Sequence, residues 1–511
     1  MAVGVPDFRR VIAPGPRNYL LSRPAPRTQI DRNRGENRFM RKAIINGTVI
    51  AWDGAKHYAI EAGTVVFNDH LIEFVGRESD GPVDEIIDAT GRLVIPGLVN
   101  SHLHVTDTLF TKGYLEETQA PVGVPVAPNY HALYTVLPEV RRASDADAQI
   151  AAAQCAFAEL ARSGSTTVVE LGYDFEIGGE GDIAIAERVA EVAGASGLRC
   201  YSGPRYRSYY YGADGEGGAF YREYGARAEQ RFEDCVEFCV TWNGRYDDRL
   251  RTMLAPGQID TCSPEMLRET RRLADRHKLP IQLHGGQSPK EFSRIRETMN
   301  RTTVEYMMDT GLLGPDFIIG HGQIMSGDGD HASMGAHEIA ALRDSRTTVC
   351  HLPWCKARRG GVINSIDKYK QMGIRQCLGT DTYPFDIFND MRFASVICKV
   401  VEKNATAGLS TDVFHMATVG GADALGRPDL GRLQAGCRAD IVTVRIDTPK
   451  AAPVYDPFKF LVHAAHGEDV DTVIVDGKTI VDRGQVMTID VAAAVREVNL
   501  AGKRVWNRLN L

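Results

Sequence analysis

Between residues 96 and 429, short continuously apolar runs alternate with longer stretches of helical periodicity. That is the rhythm of a parallel sheet buried on both faces and linked by crossover helices. The runs are "LVNSHLH" ending at His104, "TTVVE" at Glu170, "RCYSG" at Gly203, "RTMLAP" at Pro256, "IQLH" at His284, "FIIGH" at His321, "TTVCHLP" at Pro353 and "CLGTD" at Asp381. Eight is the number that closes a barrel. Helix signals fall between them. Ser144-x-x-Asp147 precedes an alanine-rich helix that Gly164 stops, and Ser263-Pro264 opens one running to about His277. Asn389-Asp390-Met391 reads as the opening of the last barrel helix, with Asn389 or Asp390 as its cap.

A different texture flanks this region. From Ala43 to about Val94, β-like runs alternate with turns in "AIINGTVIAWDG", "GTVVFNDHLIEFVG" and "EIIDATGRLVIPG", with Asn46-Gly47 as a hairpin-type signal. The same texture returns in "GRLQAGCRADIVTVRID" and "DTVIVDGKTIVDRGQV". The expected architecture is therefore α/β: a (β/α)8 TIM-like barrel over 96–429 and a small β-sandwich composed of 42–95 and 430–490. An amphipathic C-terminal helix over 491–511 is expected on the outside. Thr106–Glu139 is longer than an ordinary βα loop and is predicted to cover the substrate pocket. Residues 1–41 carry nine arginines against Asp7, Asp31 and Glu36 and read as a flexible basic arm.

Composition narrows the function classes. At 511 residues the chain exceeds the size served by one hydrophobic core, and its 43% apolar and 24% charged residues are those of an ordinary globular protein. A net charge of −7 supplies no basic field for nucleic acid, so a small-molecule substrate is expected. No stretch is apolar for long enough to predict a membrane span. The ten cysteines contain no C-x-x-C pair, which argues against a zinc knuckle or a disulfide scaffold and fits a reducing cytoplasm.

The candidate chemistry sits at the carboxyl ends of the predicted strands, the face on which barrel enzymes place their active sites. His102-x-His104 ends the first strand, and residues two apart on a strand point to the same side, so both imidazoles can meet one ion. His284, His321 and Asp381 each close another apolar run. A lone histidine at a strand end is an ordinary structural residue. Three such groups plus H-x-H at one end of one barrel point to a metal site.

The stretches "VIPGLVNSHLH", "IQLHGG", "IIGHG", "HLP", "LGTDTYPFDIFNDM" and "GGADALGRPDLGRLQAGCRADIVTVRID" resemble the amidohydrolase superfamily, within it the amino-heterocycle deaminase and triazine hydrolase (chlorohydrolase) branch. The resemblance covers about residues 43–485. It implies His102, His104, His284 and Asp381 as ligands of one divalent transition metal ion per subunit, zinc first, with iron or manganese suited to the same donors. It implies His321 beside the metal, bonding substrate or the attacking water. A metal lowers the pKa of its water from about 15.7 to about 7, and Asp381 could take the proton that water gives up. No lysine stands in "RTMLAPGQ" and no acid in "RCYSGP", which favours one metal; Glu170 is read as a structural group. Relatives commonly form dimers or larger assemblies, so a homo-oligomer is expected.

Two departures bear on the chemistry. Relatives place a proton-shuttling glutamate three residues after the fifth-strand histidine, and this chain has Gln287, an amide with no titratable proton. Relatives also often read "HCPxSN" on the seventh strand, where this chain has "HLPWCKARRGG", so Lys356 replaces an asparagine. Trp354 and Lys356, with Arg358 and Arg359, become candidate contacts to an anionic or aromatic substrate, against the alternative of a solvated basic loop; His351 is a candidate substrate contact, against a structural role. His331 and His337 read as surface residues. The leading expectation is hydrolysis of a carbon–nitrogen bond in a small cyclic or aromatic compound, with Asp381, His321 and Gln287 as catalytic groups. The alternatives are displacement of halide or alkylamine from a heteroaromatic ring, and a scaffold relative without activity.

Overall fold

The structure, a computed structural model, describes residues 40–112, 132–172, 183–215, 218–325, 334–361 and 366–509. Residues 1–39 of the basic arm and His331 lie outside the described residues, as does 113–131 within the predicted cover of the pocket; Arg41, the last residue given to the arm, instead opens a strand.

All eight expected barrel strands are present: Leu98–Leu103, Ser165–Glu170, Arg199–Ser202, Leu250–Thr252, Ile281–Gly285, Phe317–His321, Thr348–His351 and Arg375–Leu378. They pair in sequence order as two four-stranded parallel sheets. Parallel bridges Leu254↔Ile281 and Gln258↔His284 join one seam, and Leu103↔Asp381 joins the other, so the ring closes into a (β/α)8 barrel. Most strand residues are buried, which is why the sequence shows unbroken apolar runs here rather than alternation.

The helices between them follow local chemistry. Ser263 caps Pro264–His277 by accepting from the Met266 N–H, as its sequence suggests. The alanine-rich helix, Ala146–Arg162, is capped by Asp145, which accepts from the Ala148 N–H. The last barrel helix, Ile387–Glu402, is capped by Asp386 rather than by Asn389 or Asp390. Asp390 is instead fully buried and accepts from the Trp354 N–H across the fold. A carboxylate one turn inside a helix can serve a neighbouring element's free N–H groups, and the sequence spacing alone does not reveal that choice.

Both chain ends build one hydrogen-bonded sheet of nine strands among the described residues. Its centre joins Arg92–Pro96 antiparallel to Ile441–Arg445, with Arg41–Trp52 on the other side. Asn46-Gly47 is not a hairpin turn: it forms a bulge inside the strand Arg41–Trp52, with Asn46 at φ 67° and register shifts on either side of Gly47. The turn falls at Asp53–Lys56, where the Asp53 carboxylate accepts from the Ala55 and Lys56 N–H groups. The C-terminal helix, Val491–Trp506, packs Ala494, Ala501 and Val505 inward, and the Trp506 indole donates to the Phe110 carbonyl. Among the described residues no helix is long and apolar enough to cross a membrane.

Candidate active site

His102, His104, His284, His321 and Asp381 converge at the carboxyl end of the barrel, all of them buried. The seam that closes the ring also sets the first and eighth strands in register: the His104 N–H donates to the Asp381 carbonyl at 3.0 Å, and the Asp381 N–H to the His102 carbonyl at 2.9 Å. His321 (φ 77°) and Asp381 (φ 62°) hold left-handed backbone that disfavours side chains, a strain tolerated where a group must be aimed.

Three of the imidazoles are anchored through Nδ1. His102 Nδ1 lies 3.1 Å from Gln282 Oε1, His104 Nδ1 2.7 Å from the Leu171 carbonyl, and His284 Nδ1 2.6 Å from the Gly257 carbonyl. Each acceptor demands a proton on Nδ1 and so leaves a lone pair on Nε2, the tautomer a metal requires. Gln282 is itself fixed by donating to the Ser101 carbonyl at 2.9 Å. The Nε2 atoms then gather: His104 to His284 at 3.1 Å, His104 to Asp381 Oδ1 at 3.3 Å, and His102 to Asp381 Oδ1 at 3.5 Å. Donors about 2.0–2.2 Å from a tetrahedral ion stand roughly 3.3 Å apart, so the spacing fits one ion.

His321 is close as well, since ligand-type atoms of His102, His284, His321 and Asp381 all lie within 4.8 Å of one another. It differs in one respect: among the described residues both its ring nitrogens are buried without a hydrogen-bond partner, so neither is committed in advance. Electrostatics prepares the set. Burial pushes His102, His284 and His321 below the usual histidine range, His284 and His321 well below it. Burial would raise Asp381, but the His102 and His104 rings set against it more than offset that and hold the carboxyl well below the usual range. Neutral imidazoles and an ionised carboxylate are the protonation states that metal binding needs.

Close packing fixes His102. A Cβ on Gly320 would stand 2.7 Å from His102 Cε1, so only glycine lets the ring lie against the sixth strand. Gly320→Ala is expected to displace that ring and lower metal affinity about 10- to 100-fold, as supporting substitutions at metal sites do. Metal content after dialysis against graded chelator checks it; unchanged retention would disprove it.

The remaining candidates divide. Gln287 Oε1 accepts from Gln258 Nε2 at 3.1 Å, and Lys356 Nζ donates to the Gln287 carbonyl at 2.8 Å. Lys356 is buried, which excludes a solvated loop at this position. Arg358 donates to the Tyr383 carbonyl and the Thr382 hydroxyl, and its guanidinium lies over the Tyr383 ring. His351 and Trp354 make their contacts elsewhere: His351 Nε2 with Gln376 Oε1 at 2.9 Å, and the Trp354 indole edge-to-face on Phe393. Glu170 is buried beside Arg205 and Asp107, and burial raises its carboxyl to about 8. His337 is exposed and meets Glu305 at 3.3 Å, in keeping with a surface residue.

Several groups escaped the sequence reading. The Cys355 thiol donates to Asp381 Oδ2 at 2.6 Å. Glu291 accepts from the Gly286 and Gln287 N–H groups at 2.6 and 3.0 Å and shapes the turn that presents Gln287. The hairpin Tyr209–Ala213/Ala219–Glu223 brings Tyr211 to Gln258 at 3.0 Å and Tyr221 to Asp260 at 2.6 Å. Its signal was present as two aromatic runs around "GADGEGG".

The family model of the amidohydrolases matches residues 93–480, which contain every group of the cluster. The chain belongs to the amidohydrolase family. Among curated amidohydrolase relatives, the 5'-deoxyadenosine deaminase of Methanothermobacter thermautotrophicus is 31% identical over 84% of this chain and 92% of its own length. The 5-methylthioadenosine/S-adenosylhomocysteine deaminase of Desulfitobacterium hafniense is 28% identical over 91% and 99%. The zinc-bound adenosine deaminase of Xanthomonas campestris superposes with TM-score 0.75 at 21% identity over 92% and 99%. The zinc complex of atrazine chlorohydrolase from Arthrobacter aurescens gives 0.76 at 22% over 90% and 100%. The chain is thus a hydrolase of the kind that acts on carbon–nitrogen bonds other than peptide bonds.

Proposed function

We propose that this amidohydrolase is a zinc-dependent deaminase of an amino-substituted heteroaromatic compound, an adenosine-type nucleoside first. The observation that carries the reading is the set of three Nδ1-anchored imidazoles facing one ionised carboxylate. Relatives named as deaminases of adenosine derivatives, matched over most of the chain, support the substrate class. His102, His104, His284 and Asp381 would hold the ion, which would supply there the acidity that brings a water's pKa to about 7. Asp381, kept ionised, takes a proton from the attacking water and passes one to the departing amine. His321, neutral and uncommitted, stabilises charge at the attacked carbon's substituent. Gln287 has its Oε1 engaged by Gln258, so its part toward a substrate is that of an amide N–H donor.

Gln287 also supports a second reading, displacement of halide or alkylamine from a heteroaromatic ring, in which a ring nitrogen needs less help. Incubating the zinc-loaded protein with 5'-deoxyadenosine, 5-methylthioadenosine and chloro- and alkylamino-triazines separates them. Ammonia from the nucleosides is expected; chloride or alkylamine alone selects the second reading, and no release from any of them leaves a scaffold relative. Removal of metal by a chelator is expected to abolish release and added zinc to restore it. Full activity in chelator-treated, metal-free protein would refute metal dependence.

A further inference from the structure

Lys356 follows the seventh strand on the short helix Pro353–Ala357 and is 2% exposed. An ammonium carries three donors, and among the described residues only the Gln287 carbonyl takes one, at 2.8 Å. That leaves Nζ with hydrogen-bonding capacity beyond its bond to Gln287. The groups facing it come from every side. Cys355 on its own helix, Asp381 after the eighth strand and Glu291 on the helix Pro289–Met299 favour its charge, Arg359 opposes it, and His321 feels it from the sixth strand. The net result, led by burial, brings the ammonium down to about 8. A group that titrates there is matched to proton transfer near neutral pH.

Two groups beside it are held to other roles. Gln287 has no titratable proton. Glu291 spends both carboxylate oxygens on the Gly286 and Gln287 N–H groups. Resting on the deaminase reading above, we propose that Lys356 is the proton donor of this site, delivering a proton to the substrate's ring nitrogen as water adds to the adjacent carbon.

The step balances. Asp381 takes one proton of the attacking water while Lys356 gives one to the ring nitrogen, and a carbon–oxygen bond forms. Asp381 then hands its proton to the exocyclic amine, the carbon–nitrogen bond breaks, and ammonia leaves. The hydroxyl proton of the adduct returns to Lys356 as the carbonyl forms. Water and the amino compound become the oxo compound and ammonia, and both side chains are restored.

The test compares zinc-loaded wild type, Lys356→Asn, Lys356→Met and the double variant Lys356→Asn/Gln287→Glu on 5'-deoxyadenosine, reading ammonia release from pH 6 to 10. Wild-type kcat/KM is expected to fall above pH about 8. Lys356→Asn should lose about 10²- to 10⁴-fold with zinc content unchanged, and Gln287→Glu in that background should restore at least tenfold. A second readout needs no turnover. A lysine whose pKa is lower folded than unfolded makes the unfolded state bind more protons between the two values. The Tm of metal-free wild type relative to Lys356→Met should therefore rise from pH about 8 toward 10.5. Wild-type activity with Lys356→Asn within threefold of it, or a flat Tm difference across that range, overturns the donor role alone. Inactive wild type overturns the deaminase reading and the donor role with it, whatever the Tm comparison gives.

Discussion

Asp381→Ala is expected to cut turnover by on the order of 10³- to 10⁴-fold and to leave the purified protein nearly free of metal. The carboxylate holds two positions at once. Oδ1 lies 3.3 and 3.5 Å from the Nε2 atoms of His104 and His102, and Oδ2 receives the Cys355 thiol at 2.6 Å. Alanine leaves imidazoles with no anion to offset a divalent charge in a buried site, so affinity falls before any step of chemistry is considered. It also removes the group proposed above to accept the water's proton. Asp381→Asn separates these roles, because it keeps the shape and one ligand-type oxygen but cannot accept the proton. It should regain part of the metal at high zinc and little of the turnover. Metal content, and kcat at saturating zinc, check both variants. More than a tenth of wild-type kcat in either would remove Asp381 from the mechanism. Far-ultraviolet circular dichroism should be unchanged, since the seam's main-chain bonds between His102, His104 and Asp381 do not need the side chain.

The barrel and four of the five clustered groups' neighbours differ sharply in how readable they were. Each strand announced itself because a parallel strand is buried on both faces and must be apolar until its last residue, where chemistry begins. His102, His104, His284, His321 and Asp381 could thus be placed by position alone. Their supports could not. Gln282 holds His102 across 180 residues, and the Gly257 carbonyl holds His284 through the strand break after Thr252. Such partners are fixed by the closing of the ring, which no local pattern encodes. The cap at Asp386 was missed for a related reason, because Asn389 and Asp390 are equally good caps in isolation and only packing assigns Asp390 to Trp354. Lys356 looked as much like surface as like site until the helix Pro353–Ala357 turned it inward.

The second large effect is on stability and lies at the other end of the barrel. Asp440→Ala is expected to destabilise the protein by about 3–5 kcal/mol. Arg199 opens the third strand and is 1% exposed, and its Nε and Nη2 donate to the two oxygens of Asp440 at 2.8 and 3.2 Å. Nη2 also meets Asp476 Oδ1 at 2.5 Å, and the Asp476 N–H donates back to Asp440 Oδ1 at 2.8 Å. This network joins the barrel to the C-terminal part of the β-sheet. Burial opposes the guanidinium's charge, but the two carboxylates more than offset it and raise its pKa. Removing one carboxylate leaves a buried cation half compensated, which costs more than the pair's own net contribution. With an unfolding entropy of about 2.1 cal/mol/K per residue, the loss corresponds to a fall in Tm of roughly 3–5 °C for a chain of this size. Arg199→Met/Asp440→Leu, which removes both charges of the bidentate pair, should cost less than the two single changes added together. Because Arg199 begins its strand while the site lies at the strands' far ends, kcat at 25 °C should stay at the wild-type value. A Tm within 1 °C of wild type, or a loss of kcat without a loss of Tm, would show that the seam is not held by this pair.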